Sequence, residues 1–295
     1  MIELFAAIIC SVLVSVLLKI ARRNHLLIQQ AIAVNYLVAA SCAYLFLQPD
    51  LGGVLDSPQQ GLLLLALGVL LPVIFVIMGK AVDSAGIVKS DAAQRLSLFL
   101  PILAAFVVFG EALSLNKSVG ILLAFLALSA LLYQPANTLH APKKPNNTAA
   151  RLLLAVWAGY GIIDILFKQL SKIGQAFSAT LLAAFILAGL LSFAYLLMRR
   201  TRWHLPSLLS GVLLGCLNFG NIVFYIRAHQ VYGSNPTLVF AGMNLGVIVL
   251  GTLIGALVFR EKINKINVLG IVLALAAIVC LFYFDAIRRL AVWFS

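Results

Sequence analysis

The sequence predicts an all-α integral membrane protein, with ten transmembrane helices arranged as two inverted five-helix repeats. First, hydrophobic residues make up 63% of the 295 residues and charged residues only 10%, whereas soluble domains average about 45–50% apolar and about 25% charged residues. Second, the apolar residues form long segments without charge. Third, the ends of the two halves are similar at a spacing of 150 residues. The composition excludes a soluble enzyme, a disordered chain and a disulfide scaffold.

Ten segments are long and apolar enough to be membrane spans, since about 20 helical residues cross the hydrocarbon core. Six of them lack Lys, Arg, Asp and Glu: 24–49, 61–79, 118–142, 173–198, 203–226 and 266–284. The charge-free window 228–259 is too long for one span, and its turn signal at 232–236 precedes the ninth span. Three further spans contain charge: 2–19, about 87–109 and about 152–169.

The longest polar stretch, residues 134–149, divides the chain near its middle. It holds three prolines together with Lys143 and Lys144, a composition typical of a linker. We therefore predict a first five-helix repeat at 1–133, a second at 150–285 and a short basic tail at 286–295.

The repeat becomes visible when the sequence is shifted against itself by 150 positions. Ten of the 28 residues at 106–133 are identical to their counterparts at 256–283. The matches include residue types that are rare in apolar helices: Glu111 with Glu261, and Gly120 with Gly270. Because each repeat has an odd number of spans, the second copy is predicted to be inverted, an arrangement typical of secondary transporters.

The distribution of Lys and Arg predicts the orientation of the chain. Loops after the odd-numbered spans carry 14 of these residues and the opposite side carries six, with Arg95 placed inside the fourth span. Because cytoplasmic loops are enriched in Lys and Arg, the central linker is predicted to be cytoplasmic and both termini outside. The net charge of +12 is therefore explained by Lys and Arg in loops beside the lipid bilayer, and no nucleic-acid partner is expected.

Two acid–base pairs lie inside predicted spans, where charge is costly to insert. Asp164 and Lys168 in the sixth span are four residues apart, as are Asp91 and Arg95 in the fourth span. Each pair therefore shares a helical face, with the acid first. One interpretation is a self-neutralising pair at a helix interface. The other is that these charges line a cavity and bind a zwitterionic or charged substrate.

A polar stripe in the eighth span predicts contact with a substrate. Asn218, Asn221 and Tyr225 follow a three-then-four spacing and share one helical face. They either line a cavity or form hydrogen bonds between helices. Asn244 in the ninth span and Gln94 in the fourth occupy matched positions of the repeat, so both are expected near the pseudo-symmetry axis.

Four other residues are predicted to have structural roles. Glu111 and Glu261 precede the fifth and tenth spans, where a carboxylate caps the free amides of a helix N-terminus; the alternative is ion coupling. His229 is expected at the membrane interface. Pro101 is expected to kink the fourth span, either passively or as a gating hinge.

Four glycines of the ninth span form two small-residue pairs. Gly242 and Gly246 are four residues apart, as are Gly251 and Gly255. This spacing is typical of close helix packing in membranes, either within one chain or across a homodimer.

No motif for a cofactor, a metal or a covalent catalyst occurs in the sequence. A P-loop, an H-E-x-x-H segment and a G-x-S-x-G segment are all missing. The four cysteines lie in apolar runs and form no C-x-x-C pair. We therefore expect no catalytic residue, no metal ligand and no cofactor.

The chain resembles the drug/metabolite transporter superfamily, in its ten-helix form with two EamA-type repeats. The resemblance rests on Phe-Gly-Glu-Ala-Leu at 109–113 followed by Gly120, and on Phe-Arg-Glu-Lys-Ile at 259–263 followed by Gly270. It extends over nearly the whole chain and implies a cavity lined by the fourth, sixth, eighth and ninth helices. It also implies cytoplasmic termini, opposite to the charge count. Members of such families export amino acids, move nucleotide sugars or flip lipid-linked sugars.

The sequence therefore predicts an EamA-like permease, a secondary transporter that exports a small polar metabolite or drug by alternating access. The predicted substrate-binding residues are Gln94, Arg95, Asp164, Lys168, Asn218, Asn221, Tyr225 and Asn244. One alternative is a flippase for a lipid-linked substrate, which would open laterally to lipid. A membrane-embedded enzyme and a channel are weaker alternatives, because catalytic and selectivity-filter motifs are missing. The expected location is the bacterial inner membrane.

Overall fold

A computed structural model describes residues 1–50, 57–133, 147–260 and 264–293. Most of the predicted linker, residues 134–146, and one capping candidate, Glu261, lie outside the described residues. Within them, the chain is α-helical apart from short connections and one short 3-10 turn, and contains no strand. The prediction of an all-α protein is confirmed for this part of the chain.

Eleven α-helices follow one another along the described chain. Their bounds are α1 Ile2–Arg23, α2 Ile28–Leu47, α3 Pro58–Ala85, α4 Ile87–Leu96, α5 Phe99–Val107, α6 Leu115–Leu132, α7 Asn147–Lys172, α8 Phe177–Met198, α9 Leu205–Val231, α10 Pro236–Phe259 and α11 Lys265–Trp293. Helix α7 begins inside the predicted linker, and α11 continues through most of the predicted tail.

The helices have the length and composition of membrane spans. Among the described residues, nine segments are long and apolar enough to cross a bilayer, with α4 and α5 counted together as Lys89–Val107. The apolar segment Lys265–Leu281 of α11 is shorter. Many large apolar side chains point outward, whereas alanines such as Ala33, Ala39 and Ala43 lie in the interior. Small interior residues and an apolar exterior are typical of helices packed in lipid. The prediction of a multi-pass membrane protein is therefore confirmed.

The fourth predicted span is broken in its middle. Helix α4 ends at Leu96 and α5 begins at Phe99. Proline cannot donate to the carbonyl four residues earlier, and Pro101 therefore leaves the Ser97 carbonyl without its usual helical donor. That carbonyl accepts instead from the Leu100 amide at 3.0 Å. The predicted kink at Pro101 is thus confirmed as a break between two short helices.

The two halves of the chain interleave instead of forming separate bodies. Helix α1 packs on α9 and α10, while α7 packs on α3, α4 and α5. Helix α2 packs on α8, and α6 packs on α11. Most of the extensive helix contacts therefore join the first half to the second, and the core lies between them.

Glycines allow the closest approaches between the halves. A Cβ atom on Gly211 of α9 would lie 2.6 Å from the Ala31 carbonyl oxygen of α2. A Cβ atom on Gly215 would lie 2.8 Å from the backbone carbonyl oxygen of Asn35. Of the predicted small-residue pairs, Gly246 packs directly against the Ile8 side chain of α1. This glycine therefore serves packing within one chain.

Helices α6 and α11 pack antiparallel. A Cβ on Gly120, near the start of α6, would lie 2.8 Å from the Leu281 side chain, in the later part of α11. A Cβ on Gly270, near the start of α11, would lie 2.8 Å from the Leu131 side chain at the end of α6. The Asn267 amide adds hydrogen bonds of 3.0–3.2 Å to the last carbonyls of α6. Each helix thus places its start against the end of the other.

Candidate functional site

A cavity of about 170 Å³ lies between α1, α3, α4–α5, α7, α9 and α10. The side chains around it are Ser11, Leu71, Ile74, Phe75, Gln94, Arg95, Ser97, Tyr160, Ile163, Asp164, Phe167, Asn218, Asn221, Ile222, Tyr225, Met243, Asn244 and Val247. Ser11 and Asn244 are near the middle of α1 and α10, so the cavity lies at mid-depth. Both halves of the chain contribute to its wall.

Seven of the eight predicted substrate-binding residues line this cavity. They are Gln94, Arg95, Asp164, Asn218, Asn221, Tyr225 and Asn244. The break between α4 and α5 brings Gln94, Arg95 and Ser97 to the wall together. The stripe of α9 reaches it because its members recur on one helical face. The structure therefore gathers these residues around one space.

Lys168 is the predicted substrate-binding residue that does not line the cavity. Its side chain is buried, and its ammonium group donates to the His229 and Gly233 carbonyl oxygens at 3.2 and 3.1 Å. The His229 carbonyl lies in the last turn of α9, where helical carbonyls lack intrahelical donors, and the Gly233 carbonyl lies in the connection after α9. The prediction that Lys168 lines the site therefore differs from the structure, because its ammonium group bonds to two carbonyl oxygens at and just beyond the end of α9.

The two predicted acid–base pairs have different outcomes. Arg95 Nε lies 3.6 Å from Asp91 Oδ1, so the pair within α4 forms. Asp164 instead accepts a hydrogen bond of 3.2 Å from the Tyr225 hydroxyl. Among the described residues, no cationic side chain lies within ion-pair distance of Asp164. Within the part of the chain that the structure describes, the carboxylate in the cavity therefore lacks an ion-pair partner.

Aromatic rings separate the cavity from one end of the bundle. The Tyr225 ring lies edge-on to Phe167, with centroids 6.2 Å apart, and 4.8 Å from the His229 ring. His229 in turn contacts Phe240, with centroids 4.6 Å apart. His229 is fully buried between helices, two residues before α9 ends, and its predicted depth at the membrane interface stays a prediction. Packing between α9 and α10 determines its position.

Glu111 joins the two halves beyond these rings. Its Oε2 accepts from the Thr237 amide at 2.9 Å and from the Thr237 hydroxyl at 2.7 Å, at the start of α10. Its Oε1 lies 2.9 Å from Lys117 Nζ. The prediction that Glu111 caps a helix N-terminus is confirmed, but the helix it caps is α10 and not α6. Ser114 caps α6 instead. The left-handed Gly110, with φ of 68°, turns the chain so that Glu111 reaches across.

At the opposite end of the cavity, the lining residue Arg95 is paired with the partly exposed Asp91. Arg95 lines the cavity, and its partner Asp91 retains 46% of its side-chain exposure. Asp91 lies one turn into α4, beside the end of α3. In this structure the cavity is therefore closed at the His229 end and less enclosed at the Asp91 end.

The sequence interpretation missed several lining residues. Tyr160 precedes Asp164 by four positions and so lies on the same face of α7, a spacing that could have identified it. Ser97 follows Gln94 by three positions and could have been found in the same way. Ser11 lies four residues before Ser15 and eight before Lys19 on one face of α1, a spacing that could also have identified it.

The fold and this site define a multi-pass helical membrane protein with a small polar cavity at mid-depth between two interleaved halves. An uncharacterized protein of Haemophilus influenzae (strain Rd) is 54% identical over 290 residues, which cover 97% of this chain and 99% of that protein. The chain belongs to the same family as this Haemophilus protein. No family model matches the sequence. A solved crystal structure of another protein shares the fold, with a TM-score of 0.73 and 15% identity over 98% of this chain and 97% of the other.

Proposed function

We propose that this protein is an EamA-like secondary transporter that exports a small polar solute across the bacterial inner membrane by alternating access. The observation that carries the proposal is the polar cavity at mid-depth, whose wall comes from both halves of the chain. Secondary transporters bind substrate near the bilayer midplane, between structural repeats and beside broken helices. The cavity meets these three conditions if the halves are inverted repeats.

The contact between α6 and α11 supports inverted repeats. A shift of 150 residues carries Gly120 to Gly270 and Leu131 to Leu281. The contact of Gly120 with Leu281 therefore becomes the contact of Gly270 with Leu131, and both occur. Reciprocal contacts between antiparallel helices are those expected for a pseudo-twofold axis perpendicular to the helices. Such an axis lies in the membrane plane.

The remaining helix contacts support the same relation. The shift carries α1 to α7, α3 to α9, and α4–α5 to α10. The packing of α1 on α9 and α10 therefore corresponds to the packing of α7 on α3 and α4–α5, and both arrangements occur. The cavity wall includes the matched positions Gln94 and Asn244, which agrees with a pseudo-axis passing close to the site.

The size and closure of the cavity favour a small solute over a lipid-linked substrate. Pockets for drug-sized ligands have volumes of about 300–1,000 Å³, larger than the 170 Å³ of this cavity. The less enclosed end faces the loops after α1, α3 and α8, where Lys and Arg are concentrated. The positive-inside rule assigns these loops to the cytoplasm. A cavity that is less enclosed on the cytoplasmic side and closed by rings on the other side agrees with the loading state of an exporter.

Transport by purified protein in liposomes tests the proposal. The vesicles are loaded with mixed amino acids, nucleosides and sugars, and release is measured by mass spectrometry with and without a proton gradient. We expect release of a specific solute to fall at least tenfold in Asp164→Asn, Arg95→Gln and Asn221→Ala. Asp83→Asn, a change of the same type at an exposed site outside the cavity, is expected to transport normally. Unchanged transport in all three cavity variants would contradict the proposed site.

A further inference from the structure

We infer that the cavity binds its solute through a cationic amino group, with the Asp164 carboxylate as the charge partner and the side-chain oxygens of Asn221 and Asn244 as further acceptors. This inference rests on the proposed function, because it names the chemical class that the transporter would carry. Three observations lead to it: the net charge of the cavity wall, the hydrogen-bond state of its amides, and its volume.

The charges of the cavity wall leave one carboxylate without a countercharge. Arg95 is the cation of the wall, and it is paired with Asp91 within α4. Lys168 shares the face of Asp164 in sequence, but its ammonium group is bonded to two carbonyls of α9 and the connection after it. Isolated charge is strongly disfavoured away from water. Asp164 therefore favours a ligand that brings positive charge.

The groups around Asp164 come from several helices and provide no second cation. Tyr225 of α9 donates its hydroxyl proton to Asp164, while Tyr160, Ile163 and Phe167 of its own helix add two aromatic rings and an alkyl group. Arg95 of α4 is the remaining charged residue of the wall. The single hydrogen bond from Tyr225 leaves acceptor capacity on the carboxylate, since its two oxygens can accept about four bonds.

The amide side chains of the wall also present acceptors. Asn221 Oδ1 is buried and, within the described part of the chain, has no hydrogen-bond partner. Asn244 uses its amide nitrogen to donate to the Phe240 carbonyl oxygen at 3.1 Å, which leaves its side-chain oxygen as the group available to a ligand. An unsatisfied buried acceptor is costly. A ligand with several N–H donors would satisfy these oxygens.

A primary ammonium group has the required chemistry. It carries one positive charge and three N–H donors, and it accepts no hydrogen bond. A carboxylate or phosphate would instead place acceptors against acceptors and negative charge against Asp164. Amines and amino acids of few carbons also suit a volume of about 170 Å³. The chemistry therefore favours small amino compounds over organic anions and neutral polyols.

Four solutes of one five-carbon skeleton test the inference: pentylamine, norvaline, pentanoate and pentanol. They differ in charge at nearly constant size. Binding to the purified full-length protein in detergent is followed by thermal unfolding, using tryptophan fluorescence. We expect pentylamine and norvaline to raise the unfolding midpoint in a saturable manner, whereas pentanoate and pentanol do not. The apparent affinity for the two amino compounds should fall at least tenfold in Asp164→Asn, and Asp83→Asn should bind as the wild type does.

Three outcomes would overturn the inference. One is stabilisation by pentanoate or pentanol equal to that by pentylamine. Another is an apparent affinity for the two amino compounds that is unchanged in Asp164→Asn, and the third is no saturable shift with any amino compound. The liposome assay separates this inference from the proposed function. If amino compounds bind but no solute crosses the membrane, transport fails and the cation site stands. If an anionic or neutral solute crosses independently of Asp164, transport stands and the inference fails.

Discussion

Two charged residues one helical turn apart have different roles in this protein. Asp164 lines the cavity with its hydrogen bond from Tyr225. Lys168 lies on the side of α7 that meets the end of α9, where it bonds to the His229 and Gly233 carbonyl oxygens. A rotation of about 40° accumulates over four residues of a helix with 3.6 residues per turn. This difference, together with the end of α9, is enough to separate a site residue from a structural one.

Replacement of Lys168 by Met is expected to lower stability without removing the cavity. The change keeps a long apolar side chain but leaves the buried His229 carbonyl without the Lys168 hydrogen bond, which costs about 1–3 kcal/mol. Thermal unfolding measures the loss, and the amine-binding assay measures the site. Lys172→Met is the control, because Lys172 is exposed at the same end of α7. Normal stability with lost binding in Lys168→Met would assign Lys168 to the substrate instead.

The sequence predicted which residues share a helical face, but it did not predict their partners in other helices. The spacing of Asn218, Asn221 and Tyr225 identifies a stripe because helical periodicity is a local property. The partners of Lys168 and Glu111 belong to α9 and α10, so they depend on how distant segments pack. Periodicity and composition therefore predict the membrane helices and most of the polar side chains of the cavity wall, but not which charged residue of α7 is used for packing.

At the scale of helices, the broken span connects the cavity to the contact between the halves. Its first part supplies Gln94 and Arg95 to the cavity. Its second part, α5, leads through Gly110 to Glu111, which caps α10. At the break, the Trp157 indole of α7 donates to the Leu96 carbonyl oxygen at 3.0 Å. A movement of α5 relative to α4 would therefore change both the cavity wall and the start of α10.

Replacement of Pro101 by Ala is expected to slow transport while preserving the folded protein. Alanine restores an N–H donor and removes the ring clash that disfavours a continuous helix, so α4 and α5 would be held more rigidly. We expect an unchanged or higher unfolding midpoint and a transport rate at least fivefold lower. Pro72→Ala is the matched control, because Pro72 lies within the continuous helix α3 and outside the cavity wall. Equal transport by wild type and Pro101→Ala would show that the break is passive.

At the scale of the whole molecule, contacts between loops define two ends of the bundle. At one end, the Leu27 amide of the α1–α2 connection donates to the Ser207 hydroxyl in the first turn of α9 at 2.8 Å. At the other end, the amino group of Met1 donates to the Tyr232 hydroxyl at 2.7 Å, near the connection between α9 and α10. The cavity lies between these ends, and its aromatic closure is on the Met1 side.

Inverted repeats require that equivalent connections lie on opposite sides of the membrane. The connection α1–α2, residues 24–27, corresponds after a shift of 150 residues to the connection α7–α8 near Gly174. Single cysteines at Asn24 and Gly174, placed in a chain whose four native cysteines are replaced by alanine, report each side through an impermeant thiol reagent applied to intact cells. From the Lys and Arg distribution, we expect Asn24→Cys to be protected and Gly174→Cys to be labelled. Arg200→Cys should match Asn24→Cys, because both connections lie at the Leu27–Ser207 end. Labelling of positions 24 and 174 from the same side would mean that the two halves are parallel. Alternating access by two inverted repeats would then be excluded.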